Sequence, residues 1–564
     1  MMRCAAACGL LIAVAAALPH AAAQSGGEMK PLATVTLSSY DQLMKDIDFI
    51  GSLAGQAQAS QGLDQMLTMM TQQKGLAGLD KSKPLGLLVQ TDGQMPAGAL
   101  CVPVTDLDAL LDVAKGFGVT SQDAGDGLTQ LSTPQGQSVF AKTSNGWALL
   151  SISPDMLGSL PADPGVALAP LAKDYDLGLR LHMQNLPEAY RQMAIQAMSE
   201  GAKQGLTQKD DESEEQFKAR QDQVNAQLAE MERFFNEVDE ITIGLSIDAE
   251  NEKALLDFAY TAQPGTKLAE DIAANSKVTT DFAGFVQPDA AATLSFASKM
   301  TGADAAQLDA MVESLRTQMT AAIDDEEQIK SDEAKEQIKA AANDFIDALK
   351  ATLEAGVMDG GASLRVTPES LTFVAGGFIA DPAKVESGLK KIAEAAKQED
   401  AKGEVPEIKW NASKHKDVAF HTLQAPVEED DEEARQLFGE TVDMVVGIGE
   451  KAVYFAAGRN AVDAVKQAID ASAAAPDKPI PPMELTVAIS QFINAAKAFA
   501  DEDDKPQLER ISEMLANEAS EKDHVRLSGE AIDNGIRMRI EAEEGVLRAI
   551  GMAAMQAQMQ AAGF

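Results

Sequence analysis

Leu85-Gly86-Leu87-Leu88-Val89-Gln90 and Ala99-Leu100-Cys101-Val102-Pro103-Val104, with Thr91-Asp92-Gly93 between them, decide how this chain is read. Two apolar runs of strand length around an Asp-Gly signal read as a β-hairpin. Thr105-Asp106 behind them reads as the start of a helix. The same order of opening strand, helical stretch, hairpin and helix returns three more times. The later hairpins pair Ile241–Ile247 with Ala254–Tyr260, Ser363–Val366 with Leu371–Phe378, and Val525–Ala531 with Ile536–Ile540. Their turns hold Glu250-Asn251, Pro368-Glu369-Ser370 and Asp533-Asn534-Gly535. Two linking hairpins complete the pattern, one around Asn145-Gly146 and one around Gly449-Glu450-Lys451.

Matching features keep their order along the chain, which is the mark of an internal repeat. We therefore expect two homologous halves, residues 28–277 and 278–564. Short turns between apolar strands predict largely antiparallel sheets, covered by amphipathic helices in an α+β fold. One helix face carries Leu308, Met311, Val312, Leu315 and Met319, another Ile338, Phe345, Ile346, Leu349 and Leu353. Asp381-Pro382 starts a helix over Ala383–Lys397. Longer helical insertions are expected at about 187–236, 300–356 and 491–520. A short strand is expected over Val278–Val286. Gly360-Gly361 marks the start of a strand and Gly376-Gly377 a bulge. Each module is expected to bury its apolar side against its neighbours.

The N-terminus predicts export. Arg3 precedes the uncharged apolar stretch Ala5–Leu18, and Ala21-Ala22-Ala23 offers the small residues of a cleavage site. Residues 1–23 are read as a signal peptide cut after Ala23, too short to span a bilayer. No transmembrane segment is expected afterwards, so the mature chain is expected in the periplasm or outside the cell. Cys4 and Cys8 lie in the leader, which leaves Cys101 as a buried, inert thiol. The formal net charge of −40 argues against nucleic acid as a partner and for weak divalent-cation association at most. Acid gathers at Asp210-Asp211-Glu212, Asp324-Asp325-Glu326-Glu327, Glu428–Glu433 and Asp501-Glu502-Asp503-Asp504. None of these has the ligand spacing of a calcium loop, so solvated loops and helix starts are expected.

Lys83-Pro84-Leu85-Gly86, Val89-Gln90-Thr91-Asp92-Gly93 and Val102-Pro103-Val104-Thr105-Asp106-Leu107 resemble a recurrent stretch of uncharacterised exported proteins of planctomycete-type bacteria. The resemblance covers roughly 80–155 in detail. It implies an exported, duplicated envelope or secreted protein and carries no activity or functional residue.

Chemistry is hard to find. His182 and His524 sit in or beside strands, flanked by Arg180 and Arg526, with no second ligand at zinc spacing. His415 and His421 lie on a Lys-rich segment, and all four histidines are expected to be satisfied or on the surface. Ser387 with Lys390 and Ser413 with Lys416 match a Ser-x-x-Lys spacing but lack the motifs that accompany it in acyl transferases. Trp147 and Trp410 are expected in cores. Met66, Met69, Met70, Met552, Met555 and Met559 form flexible apolar stripes, the ordinary role of which is core filling. No catalytic, cofactor or metal residue is assigned. The expectation is a non-catalytic exported structural or interaction protein of the cell envelope, with an unidentified protein partner. Two readings stay open beside it. One is a carrier of a hydrophobic or lipid-like ligand between sheet and Met-rich helices, the other a hydrolase with a site assembled from distant residues.

Overall fold

The computed structural model describes residues 28–53, 55–204, 206–208, 213–300, 305–327, 329–399, 406–500, 504–518 and 522–561. The expected leader at 1–23, the acidic residues at 210–212 and 501–503, and Phe564 lie outside them, as do the side chains of Met555 and Met559. The chain is α+β, with antiparallel strand pairing throughout the named registers. It forms two compact units. The first takes in the chain through Gln196, then Val238–Ala262 and the stretch from Glu541, and the second takes in Ala197–Glu237 and Gln263–Ile540.

Strands of the first unit are β1 (Lys30–Leu37), β2 (Leu85–Thr91), β3 (Pro96–Pro103), β4 (Thr120–Gly125) and β5 (Leu128–Ser132). There follow β6 (Ser138–Ser144), β7 (Trp147–Ser151), β8 (Leu177–His182), β9 (Val238–Asp248) and β10 (Lys253–Ala262). They pair in the order β4-β5-β6-β7-β3-β2-β1-β8-β9-β10. Helices Met156–Ser159 and Gly165–Asp174 lie on one face, over a core of Leu88, Ala99, Cys101, Trp147, Leu149 and Leu168. Small residues let them approach. A Cβ on Gly178 would stand 2.6 Å from Leu171, and one on Gly244 only 2.1 Å from the Tyr175 ring. Thr34 and Thr36 are buried on that same side.

In the second unit a short ladder joins β11 (Val278–Thr280) to the later strand over Lys478–Ile480. The main ladder uses β12 (Ala292–Lys299), β13 (Val357–Thr367), β14 (Ser370–Phe378), β15 (Lys409–His415) and β16 (Val418–Pro426). It continues with β17 (Thr441–Ile448), β18 (Ala452–Gly458), β19 (the Lys478–Ile480 strand, confined to the short ladder), β20 (Met483–Ala488) and β21 (His524–Ile532). The order is β15-β16-β17-β18-β14-β13-β12-β20-β21. On one face the turn Ala283–Phe285 and helix Ala461–Ala473 close a core of Phe282, Phe285, Val374, Phe420, Val445 and Val465. On the other face helix Ile489–Phe499 places Phe492 and Ala495 against Leu364, Val366 and Leu371. Helices Asp332–Glu354 and Pro382–Glu399 pack together, with the Phe345 ring over Gly388.

Several expectations change. Met311 and Leu349 are exposed, while Leu308, Val312 and Ile346 form the contact between their helices. Gly376-Gly377 keeps regular register with Gly361 and Gly360, so there is no bulge; a Cβ on Gly376 would meet the Phe285 ring at 2.8 Å. Gly360-Gly361 lies inside β13 rather than at its start. Only Val278–Thr280 is extended in the expected Val278–Val286 strand, because Ala283–Phe285 turns to bury Phe285. The first hairpin turns over 92–95, where the Asp92 carboxylate accepts from the amides of Gln94 and Met95 at 2.9 and 3.0 Å. β3 therefore begins at Pro96, ahead of the expected Ala99. Hairpins β4–β5 and β15–β16 were not expected at all.

Candidate functional site

On β1, β2, β8, β9 and β10 the side chains that point away from Leu168 and Leu171 form three rows. Cross-strand register aligns Leu85, Leu37, Leu177, Leu245 and Leu256 in the first. Leu87, Val35, Leu179, Ile243 and Phe258 make the second, and Val89, Ala33, Leu181, Ile241 and Tyr260 the third. This grid carries no charge, and the Tyr260 hydroxyl is its one side-chain polar group. From strand geometry it measures about 14 Å by about 19 Å. Leu177, Leu256, Phe258, Ile243 and Leu245 are 49, 45, 41, 40 and 39% exposed.

The expected burial of the apolar side is thus reversed here. Gly86, Gly178, Gly244, Thr36 and Asp257 lie on the helix side, where β2 adds Leu88 to the core, and the large alternates of β8, β9 and β10 face outward. Asp257, fully buried, accepts a hydrogen bond from the Tyr175 hydroxyl at 3.0 Å on the covered side. The remaining members are part-buried and Val89 is buried, so the exposed apolar patch centres on β8, β9 and β10, and a contiguous patch of this kind marks an interaction site.

A second arrangement, in the second unit, is polar. An open groove of about 450 Å³ runs beside helix Pro382–Glu399, lined by Glu386, Ser387, Lys390, Lys391 and Glu394. Lys390 binds Glu386 at 2.6 Å, and Lys391 binds Asp344 at 2.5 Å. Burial pushes the Asp344 carboxyl up, but hydrogen bonds from Lys391, Ser387 and Lys384 outweigh it and hold it below its usual range. Ser387 is thus tied to a carboxylate, and both neighbouring lysines are ion-paired. This is the chemistry of a helix-to-helix seam, not of an activated nucleophile.

Under that helix lies His421, which is buried rather than satisfied or on the surface. Strand alternation in β16 turns it inward. Its Nδ1 accepts from the Asn411 amide at 3.0 Å, so the ring proton sits on Nε2, which has no hydrogen-bond partner and stands 3.7 Å from Glu386. Burial lowers its pKa, Glu386 opposes this and Lys390 adds to it. Trp410, half-buried, meets the His421 ring edge-on at 4.9 Å.

The remaining residues disperse. His182 Nδ1 lies 2.9 Å from Glu240 and is its register partner across β8 and β9. That bond holds the Glu240 carboxyl below its usual range. His415 meets Asp470 at 2.8 Å, and His524 stands 3.4 Å from Asp523. Lys416 also pairs with Asp470, away from Ser413. Trp147 is in the core as expected, whereas Met69 and Met70 are exposed. Cys101 is fully buried, which pushes its thiol up to about 12. We expect it to resist thiol reagents in native buffer and to react at once in urea; rapid native labelling would contradict its placement. Among the described residues no set of three or more His, Cys, Asp and Glu gathers as a metal site. No helix among them is long and apolar enough to cross a membrane.

Asp46 yields a further prediction. Burial, then the nearby Asp176 charge, push its carboxyl up to about 6, against hydrogen bonding from Gln42. The folded chain then holds this proton more tightly than the unfolded chain does. Stability falls as pH rises from about 3.8 to about 6 and the cost is complete above that. Asp46→Asn should therefore stabilise the first unit by about 1–2 kcal/mol at pH 7 and by little at pH 4. Urea midpoints at the two pH values read this directly, and equal gains at both would contradict it.

No family model matches the chain, and no curated protein matches it.

Proposed function

We propose that the chain is an exported, non-catalytic interaction protein of the cell envelope, and that its working surface is the apolar grid of the first unit. The observation that carries this reading is the row Leu177, Leu245 and Leu256, with Ile243 and Phe258 beside it, standing about two-fifths exposed or more on a paired, rigid sheet. Fully burying one such side chain is worth roughly 1.5–3 kcal/mol, and each of these five keeps about two-fifths of its surface in water, so a partner that covers them gains the remainder. A second reading, a carrier of a hydrophobic ligand, is favoured by the aliphatic make-up of the grid, where Tyr260 alone offers a polar side-chain group.

We also read the chain as two homologous halves, 28–277 and 278–564. In favour is the order β7-β3-β2-β1-β8-β9 in one ladder and β18-β14-β13-β12-β20-β21 in the other. Helices interrupt both between corresponding strands. Membership among exported planctomycete-type proteins is part of the same proposal, resting on residues 80–155. Export itself predicts that a secreting bacterial host yields a mature chain beginning at Gln24. Edman sequencing tests this, and an intact Met1 would refute it.

The surface is tested with an environment-sensitive apolar dye. The full chain should brighten the dye, and Leu245→Glu with Phe258→Glu should remove most of that signal without shifting the circular dichroism spectrum. Undiminished brightening in the double variant would place the binding elsewhere.

A further inference from the structure

We propose that the apolar grid receives an amphipathic helix of a partner protein, one whose polar side is basic. This deepens the interaction reading above and rests on it. Three observations select the occupant. First, the strands that make the grid leave no place for an added strand: β1, β2, β8 and β9 are each paired on both sides. A partner must therefore lie on the face through its side chains, as a helix does, rather than extend the sheet.

Second, the chain already shows what its apolar sheet faces accept. In the second unit the rows Phe373, Leu364, Ala292, Val487, Val525 and Ala375, Ala362, Leu294, Leu485, Leu527 are as apolar as the grid. Helix Ile489–Phe499 sits at their edge, with Phe492 and Ala495 one turn apart against Leu364 and Val366. The grid has the dimensions for such a guest. A helix is about 10 Å across, and the exposed stretch from Leu177 on β8 to Leu256 and Phe258 on β10 spans two strand spacings, about 10 Å.

Third, charge selects the guest's other side. A chain of net charge −40 repels a second copy of itself and any anionic amphiphile, and attracts lysine and arginine.

The test uses a fluorescent Leu/Lys peptide of about 20 residues with leucine at i, i+3, i+4 and i+7. A second peptide has the same composition with the stripe scrambled. The full chain should bind the striped peptide and ignore the scrambled one. Leu245→Glu with Phe258→Glu should weaken binding at least about tenfold, although the added acid strengthens long-range attraction to lysine. Val166→Glu, which adds acid at an exposed apolar position outside the grid, should leave binding unchanged. Both sets of positions are exposed, and circular dichroism confirms folding before titration.

Equal binding of the two peptides, or indifference of striped binding to the double variant, would overturn the proposal. So would phosphatidylcholine vesicle binding, or a dimer in light scattering, that the double variant abolishes. In those two cases the grid remains an interaction surface with a different occupant. If dye, peptide and vesicles are all insensitive to the variant, the interaction reading fails as well.

Discussion

Gly244→Val is expected to destabilise the first unit by about 2–6 kcal/mol. A Cβ at this position would lie 2.1 Å from Cδ1 of Tyr175 and 2.3 Å from Cε1, well inside contact distance. The ring cannot simply swing aside. Tyr175 is buried, and its hydroxyl binds Asp257, which has no exposed surface. Moving the ring therefore adds a strained core, about 1–3 kcal/mol, to the loss of a hydrogen bond to a buried group, about 1–3 kcal/mol more. Trp147 fluorescence in a Trp410→Phe background follows this unit in urea. Tyr175→Ala alone should also destabilise. Combined with Gly244→Val it should cost less than the sum of the two, because the ring that clashes is gone. A loss under 1 kcal/mol for Gly244→Val would mean that Tyr175 does not pack on β9.

Phe285→Ala should cost the second unit about 3–5 kcal/mol. The side chain is fully buried between Gly361 and Gly376 on one side and Tyr454 on the other, stacked on Tyr454 at 5.7 Å. Its ring fills the space that the two glycines leave on neighbouring strands, so removal opens a cavity that no nearby side chain can close. Amide exchange in β13 and β14 should accelerate well before that in the first unit. Unchanged exchange there would contradict the placement of this ring at the centre of the core.

The pairing of Ile241 with Tyr260 and of Ile247 with Ala254 was legible, as was that of Val366 with Leu371, because apolar alternation and a short turn jointly specify register. The buried thiol of Cys101 followed from its apolar run in the same way. Hairpin β4–β5 was not legible, since every residue of Thr120–Gly125 is exposed and offers no alternation to read. Hairpin β15–β16 was hidden by the lysines of Lys409–His415, since the burial falls on Val418, Phe420 and His421 of β16.

The grid was half legible. Leu177-Gly178-Leu179-Arg180-Leu181 and Leu256-Asp257-Phe258-Ala259-Tyr260 plainly alternate, but alternation does not say which side is covered. Size settled it: beneath helix Gly165–Asp174 and Tyr175 there is no room for a Cβ at Gly86, Gly178 or Gly244, and Thr36 and the hydrogen-bonded Asp257 lie beside them. His182 with Glu240, and His421 with Glu386, were invisible for a different reason. Each pair depends on register or on a helix laid across a strand, which no spacing along the chain encodes.

Carbene footprinting of the full chain tests most directly whether the grid stands open to solvent. We predict that peptides holding Ile243, Leu245, Leu256 and Phe258 label several-fold more heavily than the β7 peptide Trp147–Ser151, whose side chains are nearly all buried. Labelling of the two sets at the same low level would mean that the face is already covered, and the proposed function would lose its surface.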